Sequence, residues 1–253
     1  MIELQDITKS FGGKVAVDRL SLTVGKGEFF GFLGPNGAGK TTTIKIMAGL
    51  LRPEGGVAKI CGIDIARHPE AAKMKIGYVP DMPFIYEKLT AREYLEFTGG
   101  LYGVPQEKLR AKIEWIFDLF SMNGWADSRC EEYSHGMRQK VVFGAAFVHD
   151  PEVLIVDEPM VGLDPQSMRL LKDLLRLYAR RGNTIFVSTH ILSVAEEICD
   201  RIGIIDRGRL VALGTVGELR QAAASDGEKL ESLFLKLTGG SRIPNLPPGH
   251  EIE

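Results

Sequence analysis

The sequence has few cysteines, no long apolar run and almost no excess of charge. The three cysteines, Cys61, Cys130 and Cys199, form no C-x-x-C pair, so neither a zinc site nor a disulfide framework is expected. The longest apolar run, residues 141–148, is far shorter than the roughly 18 to 20 residues that cross a bilayer. The N-terminus lacks the basic start and the apolar core of a signal peptide. These absences predict a reduced, cytosolic compartment, in which a membrane is reached only through a partner.

The overall charge and composition narrow the function classes further. A net charge of −2 provides no basic field that would attract DNA or RNA, so no nucleic-acid partner is expected. The hydrophobic fraction of 44% and the charged fraction of 25% are typical of a globular protein. A chain of 253 residues is long enough for one large α/β domain or for two smaller lobes.

The pattern of apolar residues changes along the chain. Short β-rich runs separated by turn residues fill the first third, for example IELQDIT, RLSLTV and EFFGFL. Residues 91–148 carry apolar side chains at helical spacing. After residue 152, near-continuous apolar runs such as VLIVD and TIFVS are typical of a parallel sheet that is buried on both faces. A helical insertion therefore interrupts an α/β sheet, and two more helices are expected beyond residue 214.

A complete phosphate-binding motif follows the run EFFGFL. Residues 34–41, GPNGAGKT, match the pattern G-x-x-x-x-G-K-[ST], in which glycines let backbone N–H groups turn inward around an anion. Lys40 is placed to reach the β- and γ-phosphates, the Thr41 hydroxyl to bind Mg²⁺ and Thr42 to add a phosphate hydrogen bond. A chance glycine turn is disfavoured because the motif stands between a strand and a helix. The motif predicts a nucleoside triphosphate site made by Gly34, Pro35, Asn36, Gly37, Ala38, Gly39, Lys40, Thr41 and Thr42.

Two adjacent carboxylates end the apolar run VLIVDEP. The C-terminal end of a buried parallel strand lies at the ligand edge of an α/β sheet. Asp157 is suited to hold Mg²⁺ through water, and Glu158 to act as the general base for an attacking water. His190, directly after TIFVST, offers an imidazole at the same edge. A solvated strand end would explain a single aspartate, but two acids together with a phosphate-binding loop favour hydrolysis.

The stretch YSHGMRQK, residues 133–140, permits two interpretations. Serine is a favoured N-cap, and the following residues suit the start of a buried helix. The same serine and glycine also suit a surface that binds a phosphate. The residues alone leave both interpretations open.

Taken together, the order of these motifs resembles that of the ATP-binding cassette (ABC) superfamily. The resemblance implies that Phe11 stacks on adenine, although a core residue at a strand end is the alternative for that position alone. It implies that Asp164, in GLDP, belongs to the D-loop and that His190 is the switch histidine. Glu158, His190 and Lys40 would then be the catalytic residues, with ATP and Mg²⁺ as cofactors.

The family pairs two cassettes head to tail, and this implication bears on YSHGMRQK. Residues 133–137 resemble the family signature LSGGQ, so Ser134 and Gly136 would contact the γ-phosphate of ATP bound to the second cassette. A helix N-terminus suits that contact because its N–H groups and its dipole both favour an anion.

Two residues depart from the family pattern. Asp81 stands where the family has the glutamine of the Q-loop, and its carboxylate would still reach Mg²⁺. His135 replaces the first glycine of the signature, and we hypothesise that its protonation strengthens the grip on phosphate at mildly acid pH.

The resemblance also implies a fold and a domain order. It implies an α/β fold: a P-loop NTPase core with a mainly parallel sheet, an N-terminal antiparallel β subdomain and a helical subdomain inserted at about residues 82–150. The ATPase domain is expected at residues 1–218, a C-terminal helical extension at 219–240 and a flexible tail at 241–253.

Three functions compete. The resemblance favours the ATP-hydrolysing subunit of an ABC membrane transporter, an exporter, because LESLFLKLTGG resembles the end of stand-alone exporter cassettes. Its partners would be a second cassette and a polytopic transmembrane subunit at the inner face of the cell membrane. A soluble cassette acting on ribosomes or nucleic acid is the second candidate, although the paired cassettes and long insertions of those relatives are not visible. A P-loop kinase or GTPase is third, since neither requires the signature and switch-histidine stretches.

The resemblance implies that the start of the helical insertion docks the membrane subunit. It carries four large side chains within a few residues, and core packing is the alternative for about half of them. The four candidates are Met82, Phe84, Ile85 and Tyr86.

Overall fold

The computed structural model describes residues 1–159, 164–225 and 230–239. The N-terminal third contains strands and two helices: β1 (Ile2–Phe11), β2 (Lys14–Val24), β3 (Phe29–Leu33), α1 (Lys40–Met47), β4 (Gly55–Ile60), β5 (Ile63–Asp64), α2 (Pro69–Lys73) and β6 (Ile76–Val79). A helical segment follows, with α3 (Ala91–Leu101), α4 (Gln106–Phe120), a short 3-10 helix (Cys130–Glu132) and α5 (His135–Phe147). The remaining elements are β7 (Val153–Asp157), α6 (Pro165–Arg180), β8 (Thr184–Thr189), α7 (Leu192–Ile198), β9 (Arg201–Asp206), β10 (Arg209–Thr215), α8 (Val216–Ser225) and α9 (Leu230–Leu237).

The strands form two sheets. The six-stranded sheet has the order β10-β9-β3-β8-β7-β6, and only its edge strand β10 pairs antiparallel. The four-stranded sheet, β2-β1-β4-β5, is antiparallel throughout. The α/β architecture with a mainly parallel sheet, an N-terminal antiparallel sheet and inserted helices is therefore confirmed.

The central strand β3 shows why the parallel sheet is buried on both faces. Its side chains alternate, so Phe29 and Leu33 pack into the apolar core shared with the helices of the inserted segment. Phe30 and Phe32 point the opposite way, into the core between the two sheets, where the Phe30 and Phe186 rings stack 5.5 Å apart. Burial on both faces explains the continuous apolar sequence of this strand.

The predicted helices of the insertion are confirmed. Thr90 begins α3 with a reciprocal capping box, in which Glu93 N donates to Thr90 Oγ1 at 3.1 Å and Thr90 N donates to Glu93 Oε2 at 2.8 Å. α5 packs against β6 as well as against α3 and α4, so it connects the helical segment to the sheet. No helix among the described residues is both long and apolar enough to cross a membrane.

Several elements were not anticipated from the sequence. The short β5 and α2 were missed, and β2 begins at Lys14 rather than at the predicted RLSLTV. The missed part of β2 forms a hairpin with β1 through Gly12 and Gly13, whose φ angles of +54° and +82° suit a two-residue turn. The expected boundary at residue 218 falls within α8, and the tail expected at residues 241–253 lies outside the described residues.

Candidate active site

Four parallel strands bring the predicted site residues to one edge of the sheet. β3, β6, β7 and β8 all end there, and their register aligns Leu33 with Thr189 and Asp157 with Ser188. The loops that follow these strands enclose a cavity of about 190 Å³. Its lining residues come from β2, from the phosphate-binding loop and from two other strand ends: Ala16, Asn36, Gly37, Gly39, Lys40, Thr41, Thr42, Asp81 and Glu158.

The phosphate-binding loop depends on glycine at its tightest points. Gly39 has a φ of +110°, and a Cβ at this position would lie 2.4 Å from the carbonyl oxygen of Ala16. A Cβ at Gly34 would lie 2.3 Å from the carbonyl oxygen of Ile205. Gly39 immediately precedes α1, so the free N–H groups of the first helical turn face the end of the loop. The sequence motif is therefore realised as a loop that leads into a helix N-terminus beside the cavity.

The three predicted catalytic residues lie in contact. Lys40 is only 6% exposed, and its Nζ donates to the carbonyl oxygen of Gly34 at 2.8 Å. The same Nζ lies 3.4 Å from Oε1 of Glu158, whose Oε2 lies 3.0 Å from Nδ1 of His190. Glu158 therefore has a cation on one oxygen and an imidazole on the other. This arrangement places the carboxylate at the cavity with its orientation fixed from both sides.

Asp157 is the buried member of the carboxylate pair. It is 1% exposed, and its Oδ1 accepts a hydrogen bond from the Ser188 hydroxyl. Burial raises the pKa of Asp157, the Ser188 hydrogen bond and the nearby Thr41 hydroxyl oppose that shift, and the nearby charges of Asp81 and Glu158 add to it. Oδ2 is buried and has no hydrogen-bond partner within the described ranges.

The donor set around Asp157 fits Mg²⁺. A buried carboxylate oxygen without a partner needs a cation or a donor nearby. Among the described residues, no group of three or more His, Cys, Asp or Glu side chains is arranged to hold a metal ion. Mg²⁺ nevertheless requires only one or two carboxylates when phosphate oxygens and waters complete its coordination. Asp157, Asp81 and the Thr41 hydroxyl offer that kind of incomplete set.

Ser188 is a site residue that the sequence interpretation missed. Its hydroxyl donates to Asp157 and accepts from the backbone N–H of Glu158 at 3.2 Å. Glu158 adopts a φ of +50°, which is uncommon for a residue other than glycine, and this hydrogen bond holds its backbone. The sequence signal for Ser188 is its position directly before Thr189 and His190 at a strand end. Only the pairing of β7 with β8, however, connects Ser188 to the two acids.

The other predicted nucleotide contacts do not line this cavity. Ser134 caps α5, and its Oγ accepts from Met137 N at 3.3 Å, so the capping interpretation is confirmed. Asp164 caps α6 by accepting from Ser167 N at 2.9 Å and from the Ser167 hydroxyl at 2.6 Å, which lowers the pKa of Asp164. Phe11, at the tip of the β1–β2 hairpin, is 49% exposed. Gly162 and Leu163 of the expected D-loop lie outside the described residues.

The segment after Asp81 exposes a cluster of large side chains. We define the aromatic patch as Met82, Phe84, Tyr86 and Phe97, which are between 46% and 76% exposed. The Tyr86 ring contacts the rings of Phe84 and Phe97, with centroids 6.2 Å and 5.7 Å apart. Ile85 is the exception among the predicted docking residues, because it is 4% exposed and belongs to the core.

Backbone hydrogen bonds join residues 87–89, which follow Tyr86 of the aromatic patch, to the chain that precedes α5. Glu131 N donates to the carbonyl oxygen of Glu87 at 3.0 Å, and Cys130 N donates to that of Leu89 at 2.8 Å. Arg138 of α5 adds an ion pair with Glu87 at 3.3 Å. The segment that follows Tyr86 is therefore hydrogen-bonded to the residues before α5 and ion-paired with α5 itself.

Comparisons with known proteins agree with this geometry. The family model described as ABC transporter matches residues 17–161. The chain is 39% identical over 218 residues to the Nod factor export ATP-binding protein I of Paraburkholderia xenovorans (strain LB400), which covers 86% of this chain and 72% of that protein. The solved ATP-binding subunit of an ABC transporter matches with a TM-score of 0.88 and 32% identity, over 94% of this chain and 99% of that one. A dimeric ATP-binding cassette in a post-hydrolysis state, bound to ADP and Pi, matches with a TM-score of 0.78 and 25% identity, over 85% and 99% of the two chains.

The matched region contains the phosphate-binding loop at residues 34–41 and Glu158, which line the cavity. It also includes the signature stretch at 133–137 and the buried carboxylate of Asp157. The similar structures extend the agreement to most of the fold. The chain therefore belongs to the ABC transporter family and is one of its ATP-binding, ATP-hydrolysing members.

Proposed function

We propose that this protein is the ATP-hydrolysing subunit of an ABC exporter, and that Glu158 activates the attacking water. The observation that carries the proposal is the contact of Glu158 with both Lys40 and His190 at the edge of the phosphate-binding cavity. The similarity to an export ATP-binding protein supports the direction of transport.

We propose a separate task for each residue around Glu158. Lys40 is the cation placed to meet the β- and γ-phosphates, and a phosphate that binds Lys40 releases Oε1 of Glu158. The free oxygen can then accept the proton of the water that attacks the γ-phosphorus. His190 holds the other oxygen, so the carboxylate keeps its orientation during that transfer.

Thr41, Asp157 and Asp81 are the residues that we propose for Mg²⁺. The ion would neutralise charge on the β- and γ-phosphates. Ser188 keeps the Asp157 carboxylate turned so that Oδ2, the oxygen without a partner, remains available. A carboxylate at residue 81 adds a negative charge where the family pattern has an amide, so we expect this site to depend on Mg²⁺ differently from its relatives.

We further propose that a second cassette completes the ATP site. Ser134, Gly136 and Asp164 do not line the cavity of their own chain, and a head-to-tail pair would bring the first two against the phosphate bound to the other cassette. The dimeric cassette with ADP and Pi supports this arrangement. The hydrogen bond from Met137 N to Ser134 Oγ is long at 3.3 Å, so the serine can exchange it for a phosphate at little cost.

The aromatic patch is the proposed docking surface for a polytopic transmembrane subunit. Clustered exposed aromatic side chains are typical of protein–protein interfaces. Because the patch is apolar rather than basic, it favours a protein partner over a nucleic acid. This docking would hold the cassette peripherally at the inner face of the membrane.

We also propose the domain division of the chain. The ATPase domain spans residues 1–218, its helical subdomain spans about residues 82–150, and a C-terminal extension follows.

The substitution Glu158→Gln tests the hydrolytic part of the proposal. It should abolish ATP turnover, leave ATP binding intact and produce a dimer in ATP that sedimentation velocity detects. Glu152→Gln is the matched control, because it makes the same chemical change in a surface ion pair with Lys75. Wild-type turnover by a monomeric Glu158→Gln variant would refute the assignment.

A copurification experiment tests the docking surface. A polytopic membrane protein should copurify with the wild type, and it should be lost when Phe84 and Tyr86 are changed to serine.

A further inference from the structure

The tip of the β1–β2 hairpin holds Phe11 in a fixed position beside the nucleotide cavity. Phe11 pairs with Lys14 across the two-residue turn. Ala16, two residues beyond Lys14 on β2, lies at the irregularity between the pairs Ser10–Val15 and Lys9–Val17, and it lines the cavity. Phe11 is exposed at the end of the hairpin whose second strand borders the cavity, so its ring is open to a nucleotide base.

Lys9 covers one side of this ring. Its Nζ lies 5.3 Å from the centroid of the Phe11 ring, and its side chain is only 18% exposed. Both oxygens of Glu54 hold the arrangement, since Oε1 accepts from Lys9 Nζ at 3.2 Å and Oε2 from Ser10 N at 3.0 Å. The hydrogen bond and charge of Lys9 lower the pKa of Glu54, as expected for a carboxylate that is matched to its cation. The cation is therefore fixed over the ring rather than free in solvent.

We propose that Lys9, held by Glu54, is a positioning residue for nucleotide recognition. It occupies one face of Phe11 and leaves the other face as the platform for the base. The cation and the ring attract each other through the quadrupole of the ring, which fixes the plane on which a base stacks. The proposal rests on the proposed function, in which Phe11 stacks on adenine.

The chemistry of this contact predicts which ligands Lys9 affects. Stacking requires a π-face, so the effect should extend to any nucleoside triphosphate and should vanish for a triphosphate without a base. A lysine that simply attracted phosphate would affect both kinds of ligand equally. Inorganic tripolyphosphate therefore distinguishes the two roles.

The test compares the affinities of ATP and inorganic tripolyphosphate by isothermal titration calorimetry. For Lys9→Met, we expect the Kd of ATP to rise about two- to fivefold, which is the usual size of a partly exposed cation–π contact. The Kd of tripolyphosphate and kcat should stay unchanged while KM for ATP rises. Lys9→Arg should restore the affinity, because arginine also provides a cation. Lys59→Met, which removes a charge elsewhere on the same sheet, is the matched control.

Phe11→Leu separates this inference from the proposed function. We expect Phe11→Leu to weaken ATP binding by about tenfold, and Lys9→Met to add nothing in that background. Unchanged ATP affinity in Phe11→Leu would refute the adenine platform and with it the role of Lys9. If Phe11→Leu weakens ATP binding but Lys9→Met leaves ATP affinity unchanged, only the role of Lys9 is refuted. The inference would also be overturned if Lys9→Met weakened the binding of tripolyphosphate as much as that of ATP, or if it made ATP bind more tightly.

Discussion

Oε2 of Glu158 lies 3.0 Å from Nδ1 of His190, although the two residues belong to different strand ends. His190 is 47% exposed at its side chain, whereas Glu158 is 15% exposed, so the imidazole forms the outer wall of the carboxylate site. We expect His190→Ala to leave ATP affinity within about twofold. Turnover should fall roughly ten- to a hundredfold, less than the loss of the base itself would cause.

Steady-state ATPase assays combined with an independent measurement of nucleotide binding check this prediction. His68→Ala, at an exposed position before α2, is the matched histidine control. An unchanged kcat in His190→Ala would show that the 3.0 Å contact does not orient the base.

Ser188→Ala should weaken both the fold and the response to Mg²⁺. The substitution leaves a second oxygen of buried Asp157 without its donor, which costs about 1–3 kcal/mol of the free energy of unfolding. It also frees the Asp157 carboxylate to rotate, so half-maximal ATPase activity should require more Mg²⁺. Denaturant unfolding and Mg²⁺ titrations measure the two effects. Ser188→Cys keeps a weak donor and should fall between the alanine variant and the wild type, whereas coincident Mg²⁺ titrations for all three would argue against the role of Ser188.

Asp81→Gln restores the amide of the family pattern and should change the dependence on Mg²⁺. Asp81 lines the cavity with Glu158, and its charge contributes to the raised pKa of Asp157. ATP affinity at saturating Mg²⁺ should stay near the wild-type value, while the Mg²⁺ concentration for half-maximal activity shifts. Asp81→Asn makes the same charge change with a shorter side chain. Identical Mg²⁺ titrations for Asp81→Gln and the wild type would remove Asp81 from the metal site.

His149 should make the fold less stable as the solution becomes acid. Burial lowers the pKa of His149 to about 4, from an ordinary value of 6.5. Its Nε2 donates to the carbonyl oxygen of Ile76 at 3.0 Å, its ring stacks on Tyr102 at 3.6 Å, and its Nδ1 is buried with no partner in the described part of the chain. Between pH 6.5 and 4 the unfolded chain binds a proton that the folded chain does not, so the free energy of unfolding decreases as pH falls.

The expected loss across that window is of order 1–2 kcal/mol, after allowance for the part of the ring that solvent reaches. Unfolding curves at several pH values measure it. His149→Phe should have a flatter pH dependence in this window than the wild type, with His68→Phe as the control. A slope that is identical in His149→Phe would refute the assignment to His149.

Local sequence patterns predicted the parts of the site that lie within one loop or one strand end. The phosphate-binding loop and the pair Asp157-Glu158 could be found because each motif is contiguous. Ser188 could not be found, because its contact with Asp157 depends on the register of two strands that are far apart in the sequence. Ile85 illustrates the same limit, since only the packing of the insertion separates this buried residue from its exposed neighbours Phe84 and Tyr86.

The hairpin at Phe11 shows a second limit of prediction from sequence patterns. Two glycines in sequence were compatible with a turn, yet β2 was expected to begin later, at RLSLTV. The contact of Lys9 with both Phe11 and Glu54 joins β1 to the turn before β4, and no local sequence pattern indicates it. Side-chain contacts between non-adjacent segments follow from the fold, so they become visible only when the fold is known.

The backbone link between residues 87–89 and residues 130–131 has a consequence for the docking surface that we propose. Main-chain hydrogen bonds at Glu87 and Leu89 do not depend on which side chains the neighbouring positions carry. In the docking that we propose, replacing Phe84 and Tyr86 to suit a different membrane subunit would therefore leave the backbone link to Cys130 and Glu131 unchanged. The side chains that would select a partner and the backbone bonds that lead towards α5 are thus chemically separate, so one can change without loss of the other.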